Sequence, residues 1–330
     1  MKILVIGAAG MIGRKLVDQL VKDGAIGGAR IAQADLVDII APTAPTDAPF
    51  TTAVAAVDIG AAYIASKLIA GEPDMIFLLA SIVSGEAESD FEKGYAINLD
   101  GTRSIFEAIR QRQLLTNGRY RPRVLFTSSI AVFGAPFPDL IDDEYFTTPL
   151  TSYGTQKAIC ELLLSDYSRR GFFDGVGIRL PTICVRPGRP NLAASGFFSN
   201  IIREPLAGQD AVLPVSEEVR HWHASPRSAV GFLLHAATLD TARLGARRNL
   251  TMPGVSVTVG EQIEALRKVA GEAVVKRIRR EPNETIARIV AGWPTNFSPK
   301  RALALGFQVE TTFEEIIRNH IEEELGGRIG

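Results

Sequence analysis

The sequence predicts an α/β fold: a doubly wound parallel sheet with a smaller C-terminal substrate-binding lobe. Three observations predict it. Short apolar runs alternate with stretches of helical period through the first half. The loop Gly7-x-x-Gly10-x-x-Gly13 joins the first run to the first helix, and beyond Leu180 the rhythm gives way to irregular chain rich in Pro and Gly. With 330 residues the chain suits one large or two modest domains. The expected division is 1–180 for the sheet domain and 181–330 for the lobe, with the chain returning to the first in places.

Taken in order, Ile3-Leu4-Val5-Ile6 is an unbroken apolar run, the mark of a strand covered on both faces. Ile12, Leu16, Val17 and Leu20 then recur at helical spacing over 11–21. Further strands are expected to end at Leu36-Val37 and to occupy 54–57, 75–79, 124–126 and 177–180. Helices are expected over 61–70, 95–112 and 151–170, the last capped by Thr151-Ser152. Pro42 to Pro49 reads as a surface connection, and Pro136, Pro138 and Pro149 mark a long loop.

Between the first strand and the first helix, glycine allows a tight turn, a close backbone approach to a pyrophosphate and close helix-on-strand packing. The helix start, with Met11 and Ile12, offers N–H groups and a partial positive charge to phosphate. Asp38, at the end of the second strand, is placed to accept from an adenosine ribose and to repel a 2′-phosphate, which favours NAD over NADP. Arg14 is the counter-evidence for NADP and reads as a solvated first-turn residue; Asp35 is a second acid, less well placed than Asp38.

Tyr153-Gly-Thr-Gln-Lys157 puts a phenol and an ammonium on one helix face. A fixed cation stabilises a phenolate and makes tyrosine a usable general base. Tyr63 and Lys67 share the spacing but sit on a peripheral helix, whereas Tyr153 follows the strand that ends in Thr127-Ser128-Ser129, a hydroxyl source at the sheet's carboxyl edge.

Composition excludes other classes. Lys and Arg total 36 against 37 Asp and Glu, so no bulk charge draws the chain to nucleic acid or anionic lipid. No run has the ~20 apolar residues of a membrane span, and the glycines at the start argue against a signal peptide, so a cytoplasmic protein is expected. Cys160 and Cys184 read as inert core residues. His221 and His223 alternate along a strand-like segment without a third ligand, so no metal is expected. The basic run Lys276-Arg277-Ile278-Arg279-Arg280 reads as a solvated strand face, and the sequon Asn283-Glu284-Thr285 means nothing without export.

These motifs together resemble the extended short-chain dehydrogenase/reductases, the NAD-dependent epimerase/dehydratase superfamily of Rossmann type. The resemblance covers nearly the whole chain and adds Asp58-Ile59, Leu79-Ala80-Ser81, Asn98 in Asn-Leu-Asp-Gly-Thr, Ser128-Ser129-Ile-Ala-Val-Phe-Gly and Leu305-Gly306-Phe307. It implies that Ser129, Tyr153 and Lys157 are catalytic. It implies a cofactor site of Gly7, Gly10, Met11, Ile12, Gly13, Asp38, Asp58, Ile59, Leu79, Ala80, Ser81, Asn98, Tyr153, Lys157, Pro181 and Ile183. It also implies a homodimer packed through the helices near 98–112 and 151–170.

The chain departs from the sugar-nucleotide members at Arg179-Leu-Pro-Thr182 and at Arg220-His-Trp-His-Ala-Ser-Pro-Arg227. The first segment is similar to the threonine dehydrogenase branch. More narrowly, residues 179–196, 224–227 and 82–88 resemble the D-erythronate dehydrogenase branch, which implies oxidation of the C2 hydroxyl of a four-carbon sugar acid to 2-oxo-tetronate. Ser84, Ser129, Thr182, Asn191 and Arg220 are then the expected substrate residues, with Arg186 and Arg189 further candidates for the carboxylate. The competing expectations are a sugar-nucleotide epimerase or dehydratase, and a cofactor-binding regulatory protein without catalysis.

Overall fold

The computed structural model describes residues 1–188 and 195–330, and the chain divides into two compact units. The first comprises Met1–Val132, Thr151–Arg179 and Val230–Thr251; the second comprises Phe133–Leu150, Leu180–Ala229 and Met252–Gly330. The proline-marked loop thus belongs to the second unit, and residues 230–251 return to the first.

The strands that matter for the site are, in chain order, β1 (Lys2–Ile6), β2 (Gln33–Asp38), β3 (Thr51–Ala56), β4 (Met75–Leu78), β5 (Arg123–Ser129), β6 (Asp174–Leu180), β7 (Thr182–Ile183), β8 (Arg220–Ala224), β9 (Asn249–Thr251) and β10 (Val255–Thr258). Among the described residues, the first unit carries a seven-stranded parallel sheet in the order β9-β6-β5-β4-β1-β2-β3. The apolar run of β1 is buried from Ile3 to Ile6, as a strand covered on both faces requires. Burying each such side chain stabilises by roughly 1.5–3 kcal/mol. Strand order reverses between β1 and β4, and ligands of open α/β sheets bind beyond the carboxyl ends of the strands at such a reversal.

Helix α1 (Met11–Asp23) buries Leu16, Val17 and Leu20 and stops at Gly24, whose φ of 63° is the left-handed conformation that glycine adopts without strain. Helix α2 (Ile64–Ile69) is shorter than its apolar period predicts, because Tyr63 at φ 65° cannot continue it. The helix expected over 95–112 begins as a π-helical turn, Tyr95–Gly101, and becomes regular only in α3 (Thr102–Leu115). Helix α4 (Ser152–Arg169) opens where expected, with Thr151 Oγ1 accepting from the Gly154 N–H at 3.0 Å.

In the second unit β8 pairs with β7 in parallel and with β10 in antiparallel register. Helices α5 (Gly196–Leu206), α6 (Val259–Ala270) and α7 (Phe313–Glu324) contribute Phe198, Ile201, Ile263, Leu266, Phe313 and Ile316 to its core. A capping box starts α6: Thr258 Oγ1 accepts from the Glu261 N–H at 3.0 Å, and the Glu261 carboxylate accepts from the Thr258 N–H at 2.6 Å. Of the basic run 276–280 only Ile278–Arg280 is strand; Arg279 and Arg280 are exposed and pair with Asp210 and Glu217. Among the described residues no helix is long and apolar enough to cross a membrane.

Candidate active site

The glycine loop lies at the strand-order reversal. Gly7 has φ 98°, and a Cβ there would stand 2.6 Å from the Ala80 nitrogen, so side chains are excluded for both conformational and steric reasons. A Cβ on Gly13 would overlap the Gly7 carbonyl oxygen. No side chain caps α1, whose N-cap is Gly10, and the first-turn N–H groups of Met11, Ile12 and Gly13 with the helix dipole form an anion-binding end. The Leu79 and Ala80 N–H groups both donate to the Ile6 carbonyl, at 2.8 and 2.9 Å, which ties the loop after β4 to the end of β1.

Asp38 ends β2. Its two carboxylate oxygens accept from the Ala9 N–H at 2.9 Å and the Ile39 N–H at 2.7 Å, and each keeps a lone pair for a ribose hydroxyl. Asp58 Oδ1 accepts from the Gly60 N–H at 2.9 Å, and the neighbouring Ile59 is buried against Gly101. The arrangement fits an adenine dinucleotide: a cradle that a Cβ would fill, a helix end without a side-chain cap and an acid at the neighbouring strand tip. Asp38→Ala is expected to raise the Kd for NAD about tenfold, the worth of one charged hydrogen bond, and to narrow the preference for NAD over NADP. Titration of both dinucleotides against the purified variant checks this.

The three residues expected to be catalytic all lie in the first unit. Ser129 closes β5, and its Oγ accepts from the Ala131 N–H at 3.1 Å, which leaves its O–H to donate. Tyr153, half-buried, and Lys157, buried, share one face of α4. The Lys157 ammonium stands 5.6 Å from the centre of the Tyr153 ring and 5.0 Å from that of Phe126, and it donates to the Thr127 carbonyl at 2.9 Å. Burial pushes its pKa down to about 8, against the raising effect of Cys160 and Glu161. Side chains of these types can supply a base, a cation beside it and a hydroxyl donor.

The π-helical turn carries Asn98, which is buried. Its Oδ1 accepts from Ser81 Oγ and from the Ile82 N–H, both at 2.9 Å, and its Nδ2 donates to Gln156 Oε1 at 2.8 Å. Gln156 escaped the sequence reading, although its place between Tyr153 and Lys157 was a usable signal. So did Glu161, one helical turn beyond Lys157. Ser128 Oγ donates to Glu161 Oε1 at 2.6 Å, and Arg179 forms a two-pronged ion pair with the same carboxylate at 2.9 and 2.7 Å. Arg179→Leu leaves that carboxylate buried and unpaired and is expected to lower stability by about 3–5 kcal/mol in denaturant unfolding, with Glu161→Gln in the same chain recovering part of the loss.

Ser84 is half-buried and opens the short helix Ser84–Ser89 of the first unit. The other expected site residues that the structure describes lie in the second unit. Pro181 and Ile183 are buried and Thr182 is half-buried. Thr182 Oγ1 lies 2.7 Å from His221 Nε2. Arg186 donates to the Ile183 carbonyl at 3.1 Å and to Ser195 Oγ at 3.0 Å. Arg220 donates to the Ser256 carbonyl at 3.0 Å and pairs with Glu261 at 3.1 Å, both groups partly exposed. Asn191 and Arg189 lie outside the described residues.

A model of the NAD dependent epimerase/dehydratase family matches residues 3–231. The D-erythronate dehydrogenase of Cupriavidus necator is 44% identical over 327 residues, 98% of this chain and 98% of that one. The D-erythronate dehydrogenase of Haemophilus influenzae is 42% identical over 327 residues, 98% of this chain and 100% of that one. Among solved structures, the nucleoside-diphosphate-sugar epimerase from Agrobacterium tumefaciens shares 65% identity with a TM-score of 0.97, over 100% of this chain and 96% of that one.

Proposed function

The chain belongs to the NAD dependent epimerase/dehydratase family, and on that footing we propose that it is an NAD-dependent dehydrogenase that oxidises the C2 hydroxyl of D-erythronate, a four-carbon sugar acid, to 2-oxo-tetronate. The observation that supports the substrate is 44% and 42% identity with two D-erythronate dehydrogenases over 98% of this chain. The chemistry is supported by the Lys157 ammonium 5.6 Å from the Tyr153 ring on one face of α4 and by the hydroxyl of Ser129 at the end of β5.

Tyr153 as phenolate removes the proton from the C2 hydroxyl, and Lys157 holds positive charge beside that phenolate. Ser129 donates a hydrogen bond to the substrate oxygen and fixes its position. When bound, NAD would supply the acceptor for the hydride that leaves C2, so the net change would be hydroxyl plus NAD to ketone, NADH and a proton. The proposed holders of NAD are the glycine loop with Met11 and Ile12, Asp38, Asp58 and Ile59, Leu79 to Ser81, Asn98, Tyr153, Lys157, Pro181 and Ile183.

The proposed substrate residues are Ser84, Ser129, Thr182, Asn191 and Arg220. For Arg220 to take the carboxylate its pair with Glu261 must open, and a half-exposed pair of this kind is worth only about 0–1 kcal/mol. The proposed assembly is a homodimer through α3 and α4, which expose Leu114, Leu115 and Leu162, in a cytoplasmic setting.

The 65% identity with the nucleoside-diphosphate-sugar epimerase from Agrobacterium tumefaciens favours a second reading, a sugar-nucleotide epimerase. One assay separates the two. Purified protein, NAD and a panel of four-carbon sugar acids, threonine and UDP-sugars are mixed, and NADH and sugar-nucleotide composition are followed together. Net NADH with D-erythronate supports the dehydrogenase; epimerised sugar nucleotide without net NADH supports the alternative.

A further inference from the structure

His221 is not an inert core histidine. Its ring stacks on Phe198 with centroids 5.2 Å apart and planes within 6°, and it lies 5.3 Å from the Trp293 ring. Its Nδ1 meets the Pro294 carbonyl at 2.9 Å. A carbonyl oxygen only accepts, so Nδ1 carries the proton and Nε2 presents a lone pair. Burial holds the ring's pKa down at about 4, which keeps it neutral at working pH. The group facing Nε2 is the Thr182 hydroxyl at 2.7 Å, and it is therefore the donor.

A hydroxyl has one proton. Thr182 gives its own to His221, and its half-buried oxygen has only lone pairs left for a ligand. We propose that the relay Pro294–His221–Thr182 makes Thr182 an obligate hydrogen-bond acceptor, so that it selects a substrate hydroxyl that survives the reaction, at C3 or C4, and turns away a carboxylate or carbonyl oxygen. This rests on the sugar-acid reading above and extends it. The C2 oxygen becomes a carbonyl and can no longer donate, so Thr182 serves a different hydroxyl. His221 is a positioning residue: it acts through Thr182 and touches no substrate.

The test measures NADH formation by wild type, Thr182→Val, Thr182→Ser and His221→Phe. The substrates are D-erythronate and its analogues with fluorine in place of the C3 or the C4 hydroxyl. Fluorine keeps the size and cannot donate. Wild type is expected to prefer D-erythronate over one of the two analogues by about tenfold more in kcat/KM than Thr182→Val does, with the difference in KM. Thr182→Ser keeps the wild-type preference. His221→Phe frees the Thr182 proton to turn toward fluorine, so its preference falls toward that of Thr182→Val. A merely structural role for His221 would lower Tm and leave the preference intact.

Equal preferences in wild type and Thr182→Val for both analogues would overturn the proposal. So would a wild-type preference retained by a folded His221→Phe. Should His221→Phe fail to fold, the two Thr182 variants still decide whether that hydroxyl selects the substrate. Absence of NADH from wild type with D-erythronate overturns the dehydrogenase reading itself, and is told apart because the unsubstituted protein is then inactive.

Discussion

Tyr153→Phe lowers kcat by about 10²- to 10⁴-fold, the range spanned by a positioned general base, while the Kd for NAD stays close to its original value. The substitution deletes one oxygen and keeps the ring that faces Lys157. The N-terminal turn of α4 is capped by Thr151, which the substitution leaves in place. Steady-state rates and NAD titration on the same preparation check both halves. Turnover within a few-fold of the original would remove Tyr153 from the base role; loss of NAD binding would make it a cofactor residue first.

Lys157→Met is expected to lower kcat by about 10²-fold or more and to weaken NAD as well. It removes the charge beside the Tyr153 ring and the donor to the Thr127 carbonyl. Its stability signature has a definite sign. Lys157 loses its proton near pH 8 when folded, because burial disfavours the charged form, and keeps it to about pH 10.5 when unfolded. Between those values the unfolded chain binds more protons, so stability rises with pH across the window as the cost of a buried charge is relieved. Below about pH 8 that cost is present in full. The Tm of Lys157→Met relative to the original protein is therefore higher at pH 7 than at pH 10. An unchanged difference between the two pH values would show that Lys157 is not desolvated as its position demands.

The two substitutions divide the site by what each element contributes. In the proposed mechanism Tyr153 supplies an atom that reacts, whereas Lys157 supplies a field and an anchor. Both depend on α4 being set against the end of β5, and that setting is made by groups that take no part in the chemistry. Glu161 ties Ser128 to Arg179, and Asn98 ties Ser81 and Ile82 to Gln156.

Much of the first unit was legible from residue pattern. The run Ile3 to Ile6 is apolar because both of its faces are covered, and the glycine triple follows it because no Cβ fits beside Ala80 or the Gly7 carbonyl. The Tyr153 and Lys157 pairing follows from helical period, and Thr151 is a capping residue in the position where a cap is needed. These are local consequences of chain geometry, readable from neighbours within a turn or a strand.

The rest depends on atoms distant in the chain. No periodicity announces a π-helical turn at Tyr95–Gly101, because its extra residue is accommodated by packing of Asn98 against Ser81 and Gln156. Glu161 drew no sequence reading, because its partner Arg179 is brought to it only by β6. His221 reads only as one of two histidines alternating along a strand-like segment until Pro294 fixes its tautomer and Thr182 meets its lone pair. The sheet, the phosphate cradle and the Tyr–Lys face were therefore written into the residue order, since each is encoded by spacing along one segment. Which polar groups share a hydrogen bond was left to the folded arrangement of those segments. A buried proton has one donor and must find its acceptor in space, wherever in the chain that acceptor lies.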